Sequence, residues 1–257
     1  MTSPRHRLDV LLVARGLAET RDWAQRLIRA GEVRVNGQVV DTPAKLFAAD
    51  VDLAVKTPPK YVSRGGFKIE AALDHFRIDP AGLVCADVGS STGGFTDCLL
   101  QRGARKVYAV DVGKHQLHHK LRRDPRVQVM ERVNARYLAA LPEPVQLAVV
   151  DVSFISLTMI LPRVFGWFSL LLPSSGRGGE GESEGEDVVI ALIKPQFEAG
   201  RDRVGKGGIV RDPAVHQEVT DKIVDFCQRQ NWRPRGFIES PILGADGNKE
   251  FLICVER

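Results

Sequence analysis

Five ionisable side chains stand where chemistry is done in an open α/β sheet, at the ends of apolar runs. Asp87 closes Leu83–Ala86, Asp111 closes Lys106–Val110, Asp151 closes Leu147–Val150, and Lys194 follows Val188–Ile193. Glu250 opens the final apolar run, ending at Val255. If that run is antiparallel to its neighbours, its start lies where theirs finish, so Glu250 falls near Asp151 and Lys194. Lys68, in Ser63-Arg64-Gly65-Gly66-Phe67-Lys68, leads into a helix that reaches the same mouth. Ligands of such sheets sit outside the carboxyl ends of the strands. Two lysines and two carboxylates around one site pair every charge, as burial requires. A cluster of this kind suits group transfer to a hydroxyl. Attack on a sulfonium methyl is an in-line displacement in which positioning carries much of the rate. A lysine whose charged form is disfavoured by desolvation or a neighbouring cation can take the hydroxyl proton. Lys194 is the candidate base, Lys68 the neighbouring cation, and Asp151 and Glu250 orient the ammonium groups. The plain alternative for each lysine is a solvated strand or helix end.

The stretch from Asp87 to Thr96, Asp-Val-Gly-Ser-Ser-Thr-Gly-Gly-Phe-Thr, carries the ligand signal. It reads as a strand, a glycine-rich turn and a helix start, with Gly89, Gly93 and Gly94 allowing close approach of a ligand. A dinucleotide fingerprint reads G-x-G-x-x-G, and this spacing differs. Asp87 would also repel a pyrophosphate. A cationic ligand fits instead, and S-adenosyl-L-methionine has that polarity. Ser91 and Phe95 belong to the same turn, and Asp111 is placed to hold both ribose hydroxyls. Asn134, after a third strand at Val127–Met130, completes the expected cofactor site. The alternative is an ordinary glycine-rich strand-to-helix turn.

The elements around these residues follow from periodicity. Helices are expected over Phe67–Phe76, Phe95–Gln101, Ile155–Leu172 (bent near Pro162) and Pro213–Arg229. Strands end at Asp87, Asp111, Met130, Asp151 and Ile193, and the chain closes with strands at Phe237–Glu239 and Glu250–Val255. The fold class is α/β: a doubly wound, mostly parallel sheet with an antiparallel edge. Before it, residues 1–55 form a separate small α+β unit. It has a helix from Arg7, a second from Arg21 to Ala30 capped by Thr20, and a hairpin of Val33–Val35 and Gln38–Val40 about Asn36-Gly37. Residues 56–62, with Pro58-Pro59, read as a stiff linker, and 63–257 as the larger domain. Residues 174–187, rich in Gly, Ser and Glu, read as a disordered insertion.

Composition narrows the class of protein. The 257 residues are 44% hydrophobic and 26% charged, as in soluble globular chains. No apolar run approaches the ~20 residues of a membrane helix, and no signal-peptide core follows the basic start. A cytoplasmic protein, with no membrane partner, is expected. The four cysteines stand singly in apolar runs, so reduced core cysteines are expected and neither a disulfide framework nor a zinc site is supported. His115, His118 and His119 have no carboxylate at ligand spacing, so no metal is expected. Net charge is +4, of which Ser174–Glu186 contributes −3 and the rest +7. A basic body suggests a polyanionic partner. A monomer is favoured.

In the N-terminal unit, Arg7-Leu8-Asp9, the helix Arg21…Ala24…Ile28-Arg29-Ala30-Gly31 and Val33-x-Val35-Asn36-Gly37 resemble the αL RNA-binding module of a small-subunit ribosomal protein, also found in pseudouridine synthases. The resemblance implies an RNA face bearing Arg7, Arg21, Arg26, Arg29 and Arg34, with basic side chains on phosphates.

Ser63-Arg64-Gly65-Gly66-x-Lys68, the Asp87–Thr96 turn, Asp151-Val152-Ser153-Phe154-Ile155-Ser156-Leu157, Ile193-Lys194-Pro195-Gln196-Phe197-Glu198 and Asn248-Lys249-Glu250-Phe251 resemble the TlyA (haemolysin A) family. These are FtsJ-like ribosomal RNA 2′-O-methyltransferases. The resemblance spans nearly the whole chain. It implies a Rossmann-like class I methyltransferase fold with a seven-stranded sheet and S-adenosyl-L-methionine as cofactor. It implies a Lys68–Asp151–Lys194–Glu250 tetrad and cytidine 2′-O-methylation in ribosomal RNA of the small or large subunit. Three rivals are weighed. A membrane-active haemolysin needs an amphipathic or spanning segment, and the sequence has neither. Base methylation at nitrogen expects Asn or Asp-Pro-Pro-aromatic where this chain has Asp151-Val152-Ser153-Phe154, and carbon-5 methylation expects a cysteine at a strand mouth. A non-catalytic RNA-binding factor would keep the module but lose tetrad members.

Overall fold

The computed structural model describes residues 5–18, 20–56, 60–168, 187–244 and 246–257. It divides into two compact units, residues 1–60 and 61–257. Pro58-Pro59 and all but the last residue of the expected 174–187 insertion lie outside the described residues. Asp187 is described, and its Oδ2 accepts from Arg257 Nη2 at 2.6 Å.

In the first unit, β1 (Arg5–Arg7), α1 (Leu8–Ala14), α2 (Arg21–Arg29), β2 (Val33–Val35), β3 (Gln38–Val39), β4 (Leu46–Ala48) and β5 (Leu53–Val55) follow in order. The Thr20 hydroxyl accepts from Trp23 N at 3.2 Å and starts α2, satisfying one of the orphan N–H groups of a helix end. Asn36 (φ 50°) and Gly37 (φ 77°) are both left-handed, the pair that a two-residue hairpin with matching twist demands. The hairpin joins β5 in a three-stranded sheet ordered β3-β2-β5, while β1 pairs antiparallel with β4. Strands β1, β4 and β5 have three residues each, none of them buried, and their alternation is too short to read from sequence. Leu8, Leu12, Ala24, Ile28 and Val33 form the fully buried centre.

The second unit runs α3 (Gly65–Phe76), β6 (Val84–Val88), α4 (Gly94–Gln101), β7 (Lys106–Asp111), α5 (His119–Arg122), β8 (Val127–Glu131), β9 (Leu147–Val150), α6 (Leu157–Phe165), β10 (Val188–Ile193), α7 (Pro195–Glu198), α8 (Pro213–Arg229), β11 (Arg233–Glu239) and β12 (Phe251–Glu256). One seven-stranded sheet, ordered β11-β12-β10-β9-β6-β7-β8, carries it. Strands β10, β9, β6, β7 and β8 are parallel, and β12 is antiparallel to both β10 and β11. The fold is α/β and Rossmann-like, as the element pattern predicts. The antiparallel strand lies one place in from the edge.

Side-chain alternation sorts the strands into two cores. Val84, Ala86 and Val88 of β6 join Ala148, Val150, Ala191 and Ile193 under α6 and α8. Cys85, Leu147, Val149, Ile190 and Leu192 face α3 and α4. Helix α6 differs from the helix expected over Ile155–Leu172. Ser156 is its N-cap, accepting from Thr158 N at 3.2 Å, so Ile155 lies outside. The helix stops at Phe165, Gly166 caps it, and Trp167 turns inward to donate from Nε1 to Leu138 O. Residues 169–172 are outside the described set. Pro162 lies inside α6. Tyr61 is buried in the second unit. Val62 N donates to Asp97 Oδ2 at 2.8 Å, so these two residues are packed and do not extend the linker.

Candidate active site

Parallel β6, β7 and β9 deliver Asp87, Asp111 and Asp151 to one edge, and the β10–β12 register brings the next two groups there. Ile193 pairs with Phe251, so Lys194 and Glu250 stand one step beyond the same pair. Two cavities open at this edge, of about 500 Å3 and about 230 Å3. Both are bordered by Gly89, Ser91 and Asp151, so they are continuous.

The smaller cavity is polar and holds Asp87 and Lys68. Asp87 is buried on β6. Its Oδ2 accepts from Thr96 N at 2.9 Å and from Thr96 Oγ1 at 2.6 Å, while Oδ1 has no hydrogen-bond partner. Burial pushes the Asp87 carboxyl up to about 7, against the two Thr96 bonds and with help from Asp151 and Asp111. A buried acceptor left open is costly unless a ligand completes it. The open Oδ1 is the strongest single mark of a binding site for a cation.

The backbone makes room beside it. Gly89 has φ +84°, and a Cβ there would lie 2.3 Å from the Asp151 carbonyl oxygen. The turn therefore touches the β9 end directly, which only glycine permits. At Gly94, a Cβ would meet Ser63 Oγ at 2.3 Å, so the start of α4 packs on the segment entering α3. Gly93 caps α4 with a left-handed backbone. Phe95 is buried in the core behind the turn, and it borders the smaller cavity.

The larger cavity has the other polarity. Asp111 Oδ2 accepts from Ser91 N at 2.8 Å and Oδ1 from Gly113 N at 2.6 Å, which fixes the carboxylate and leaves lone pairs on both oxygens. Val112, Val133, Ala135 and Ile155 provide apolar walls, and Asn134 lies among them. Asn134 Oδ1 accepts from Arg136 N at 3.0 Å. An apolar slot beside a fixed carboxylate matches a nucleoside, base in the slot and ribose on Asp111. The residues present thus fit S-adenosylmethionine, with its cationic end toward Asp87.

Two ion pairs complete the site. Lys68 Nζ lies 2.5 Å from Glu250 Oε2, both largely buried. Lys194 Nζ lies 2.5 Å from Asp151 Oδ1 and donates to Ser153 Oγ at 3.0 Å. The Asp151 contact is an ion pair by distance; its angles fall outside hydrogen-bond geometry. Lys68 and Asp151 face the same smaller cavity, so the four residues form two linked pairs around one mouth.

Four residues lie within the motifs that carry the family resemblance, but their individual roles are not legible from sequence. Ser63 and Arg64 border the smaller cavity, although nothing in a Ser-Arg dipeptide announces a ligand. Glu198 is buried and reaches back to Ser156 Oγ (2.6 Å) and Leu157 N (2.7 Å) at the start of α6; Lys222 holds it from α8 at 3.3 Å. Phe154 is 90% exposed, stands at φ +65° and rests on Phe197 with ring centroids 4.9 Å apart. A bulky residue in the left-handed region is strained, and such strain collects at ligand sites. A strand-following Phe reads from sequence as core, so only its exposure reveals it.

In the first unit the expected RNA-facing arginines divide. Arg7 Nη2 and Arg21 Nη2 lie 2.9 and 3.2 Å from Asp9 Oδ2, and Gln25 Nε2 donates to the same atom at 2.9 Å. Arg7 above all, with Gln25 and Arg21, holds the buried Asp9 carboxyl well below the usual carboxylate range. Arg7 and Arg21 thus anchor Asp9 while their side chains remain 42% and 55% exposed. Arg26, Arg29 and Arg34 are exposed and have no ion pair among the described residues.

Residues 61–257 match the FtsJ-like methyltransferase family and residues 6–49 the S4 domain. The chain belongs to the FtsJ-like methyltransferases. It is 50% identical to YqxC of Bacillus subtilis, described as a candidate rRNA methyltransferase, over 98% of this chain and 86% of the relative. It is 42% identical to the 16S/23S rRNA (cytidine-2′-O)-methyltransferase TlyA of Mycobacterium tuberculosis, over 97% of this chain and 89% of the relative. A solved structure of a hemolysin candidate from Streptococcus thermophilus superposes with a TM-score of 0.68 at 41% identity, covering 100% of this chain and 90% of that one. The family resemblance carried by the motifs is therefore correct. Among the described residues no helix is long and apolar enough to cross a membrane.

Proposed function

We propose that this FtsJ-like methyltransferase methylates a ribose 2′-hydroxyl of ribosomal RNA, at cytidine, with residues 1–55 supplying RNA affinity and 63–257 the reaction. S-adenosylmethionine is the donor and supplies an electrophilic methyl group. The observation that carries the reading is the Lys194–Asp151 pair, standing beside Lys68–Glu250 at the mouth of a nucleoside-shaped cavity. The cytidine substrate rests on the printed activity of the M. tuberculosis relative.

Each residue then has a task. Asp87 Oδ1 would hold the cationic end of the donor, Asp111 the ribose hydroxyls, and Asn134 with its apolar neighbours the adenine. Asp151 and Ser153 aim Lys194 Nζ, which in its neutral form, after giving up its own proton, would take the proton from the 2′-hydroxyl as that oxygen bonds to the methyl carbon and the carbon–sulfur bond breaks to release S-adenosylhomocysteine. Glu250 fixes Lys68 as the second cation of the mouth. Phe154 offers an exposed ring on which the target base stacks, as single-stranded bases do on aromatic side chains.

The test is transfer of labelled methyl from S-adenosylmethionine to purified ribosomal subunits that lack the modification, followed by alkaline hydrolysis. A 2′-O-methyl removes the nucleophile for backbone cleavage, so one alkali-resistant position is expected. Lys194→Ala should lower turnover by at least roughly a hundredfold, the range general-base loss produces, with cofactor affinity held within a few-fold. Label that remains alkali-sensitive would point to base methylation and overturn the ribose reaction.

A further inference from the structure

The three most exposed large apolar side chains among the described residues are Phe154, Tyr137 and Val112, at 90%, 72% and 68%. Phe154 and Val112 border the larger cavity. Tyr137 borders a separate groove of about 520 Å3, together with Arg136, Met159, Pro162 and Arg163. Arg136 lines both, so the groove continues the larger, cofactor-binding cavity along the outer face of α6. Exposed apolar surface concentrated in one place marks an interaction site.

The chemistry of the groove is specific. The Arg136 guanidinium lies 5.5 Å from the centroid of the Tyr137 ring, a cation–π arrangement. Neither Arg136 nor Arg163 has an ion-pair partner among the described residues. By contrast, Arg126 is paired with Asp124 and Arg122 with Glu131. No carboxylate lines the groove. The loop holding Tyr137 is also fixed. Tyr137 N donates to Asn134 O at 2.9 Å and Arg136 N to Asn134 Oδ1 at 3.0 Å, so Asn134 ties the groove to the cofactor cavity. An exposed aromatic on a fixed backbone, two guanidiniums without ion-pair partners among the described residues and no lining acid form a site for a base and its phosphates.

We propose that this groove binds a nucleotide of the substrate RNA flanking the methylated one, its base stacked on Tyr137 and its phosphates on Arg136 and Arg163. The inference rests on the ribose-methylation reading and adds a second contact point that sets which sequence neighbourhood is accepted. A protein partner is the competing occupant. The absence of carboxylates in the groove and its continuity with the larger cavity, whose rim carries Phe154, favour RNA.

The test uses the full chain, S-adenosylmethionine and ribosomal subunits lacking the modification. Tyr137→Ala should lower kcat/KM for the RNA roughly tenfold or more, as loss of one stacked base does. Tyr137→Phe should retain wild-type activity, and calorimetric affinity for S-adenosylmethionine should be unchanged in both. Arg163→Glu should weaken RNA binding and flatten its salt dependence by about one phosphate contact. A benzophenone amino acid at position 137 should cross-link to a nucleotide next to the methylated one. Wild-type enzyme that labels no RNA overturns the underlying reading. Wild-type activity combined with Tyr137→Ala within twofold of it, or a cross-link to ribosomal protein only, overturns the groove alone.

Discussion

Asp87 shows what a single buried carboxyl does to this site. Its ordinary value near 4 is raised to about 7 in the folded chain, chiefly by burial. Between those values the native state holds more protons than the unfolded chain. Stability therefore falls as pH rises from about 4 to about 7 and levels off above. Cofactor binding runs the other way, because a cation needs the carboxylate. Affinity for S-adenosylmethionine should rise with pH up to about 7, approaching tenfold per unit on the acid side, then plateau. Calorimetry of wild type and Asp87→Asn from pH 5.5 to 8.5 checks this. The variant should bind weakly at every pH; an unchanged slope in the variant would remove Asp87 from the role. Its position was readable from sequence because a strand-end carboxylate before a glycine turn has few other uses. The open Oδ1 was not, since it depends on how Thr96 folds back onto Oδ2.

At the scale of elements, sequence was most legible where a cap or a turn residue decides the outcome. Thr20 before α2, Asn36-Gly37 in the hairpin and Pro213 at the start of α8 each mark a boundary that the structure places at the expected residue. It was least legible where a distant side chain decides. The start of α6 is fixed by Glu198, more than forty positions downstream in the chain, and no local pattern announces that bond. Glu198 bonds the helix N-terminus while Lys222 balances its charge, so the link spans α6, α7 and α8. Glu198→Ala leaves the Leu157 N–H and the Ser156 hydroxyl without their acceptor and should cost about 2 kcal/mol of stability. It should also reduce RNA turnover more than cofactor affinity, because Ser153 and Phe154 lie on the strap that α6 anchors. Urea denaturation and steady-state kinetics measure the two effects. A stability change under about 0.5 kcal/mol would show that the cap is dispensable.

For the whole molecule, the basic charge left after the acidic 174–186 segment suggests a polyanionic partner, and the structure sorts the first unit's expected arginines by what they can give it. Arg7 and Arg21 are held by buried Asp9. Arg26, Arg29 and Arg34 stand exposed on α2 and β2. Arg29 and Arg34 are steadied only by neutral acceptors, Gln25 Oε1 and Gly37 O. The two sets should separate experimentally. Replacing Arg26, Arg29 and Arg34 with alanine in the full chain should weaken ribosomal RNA binding. It should also make the slope of log affinity against log salt shallower by about two to three, since each lost phosphate contact removes roughly 0.7–0.9. Replacing Arg7 and Arg21 leaves Asp9 buried with Gln25 alone, so that variant should lose thermal stability first. Its salt slope should change far less, and its stability loss should shrink as pH falls and Asp9 takes up a proton. Fluorescence anisotropy across a salt series, paired with thermal melts, distinguishes the two. Equal slopes for the two variants would mean that the Asp9-held pair also meets phosphate, and the anchor reading of Asp9 would fall.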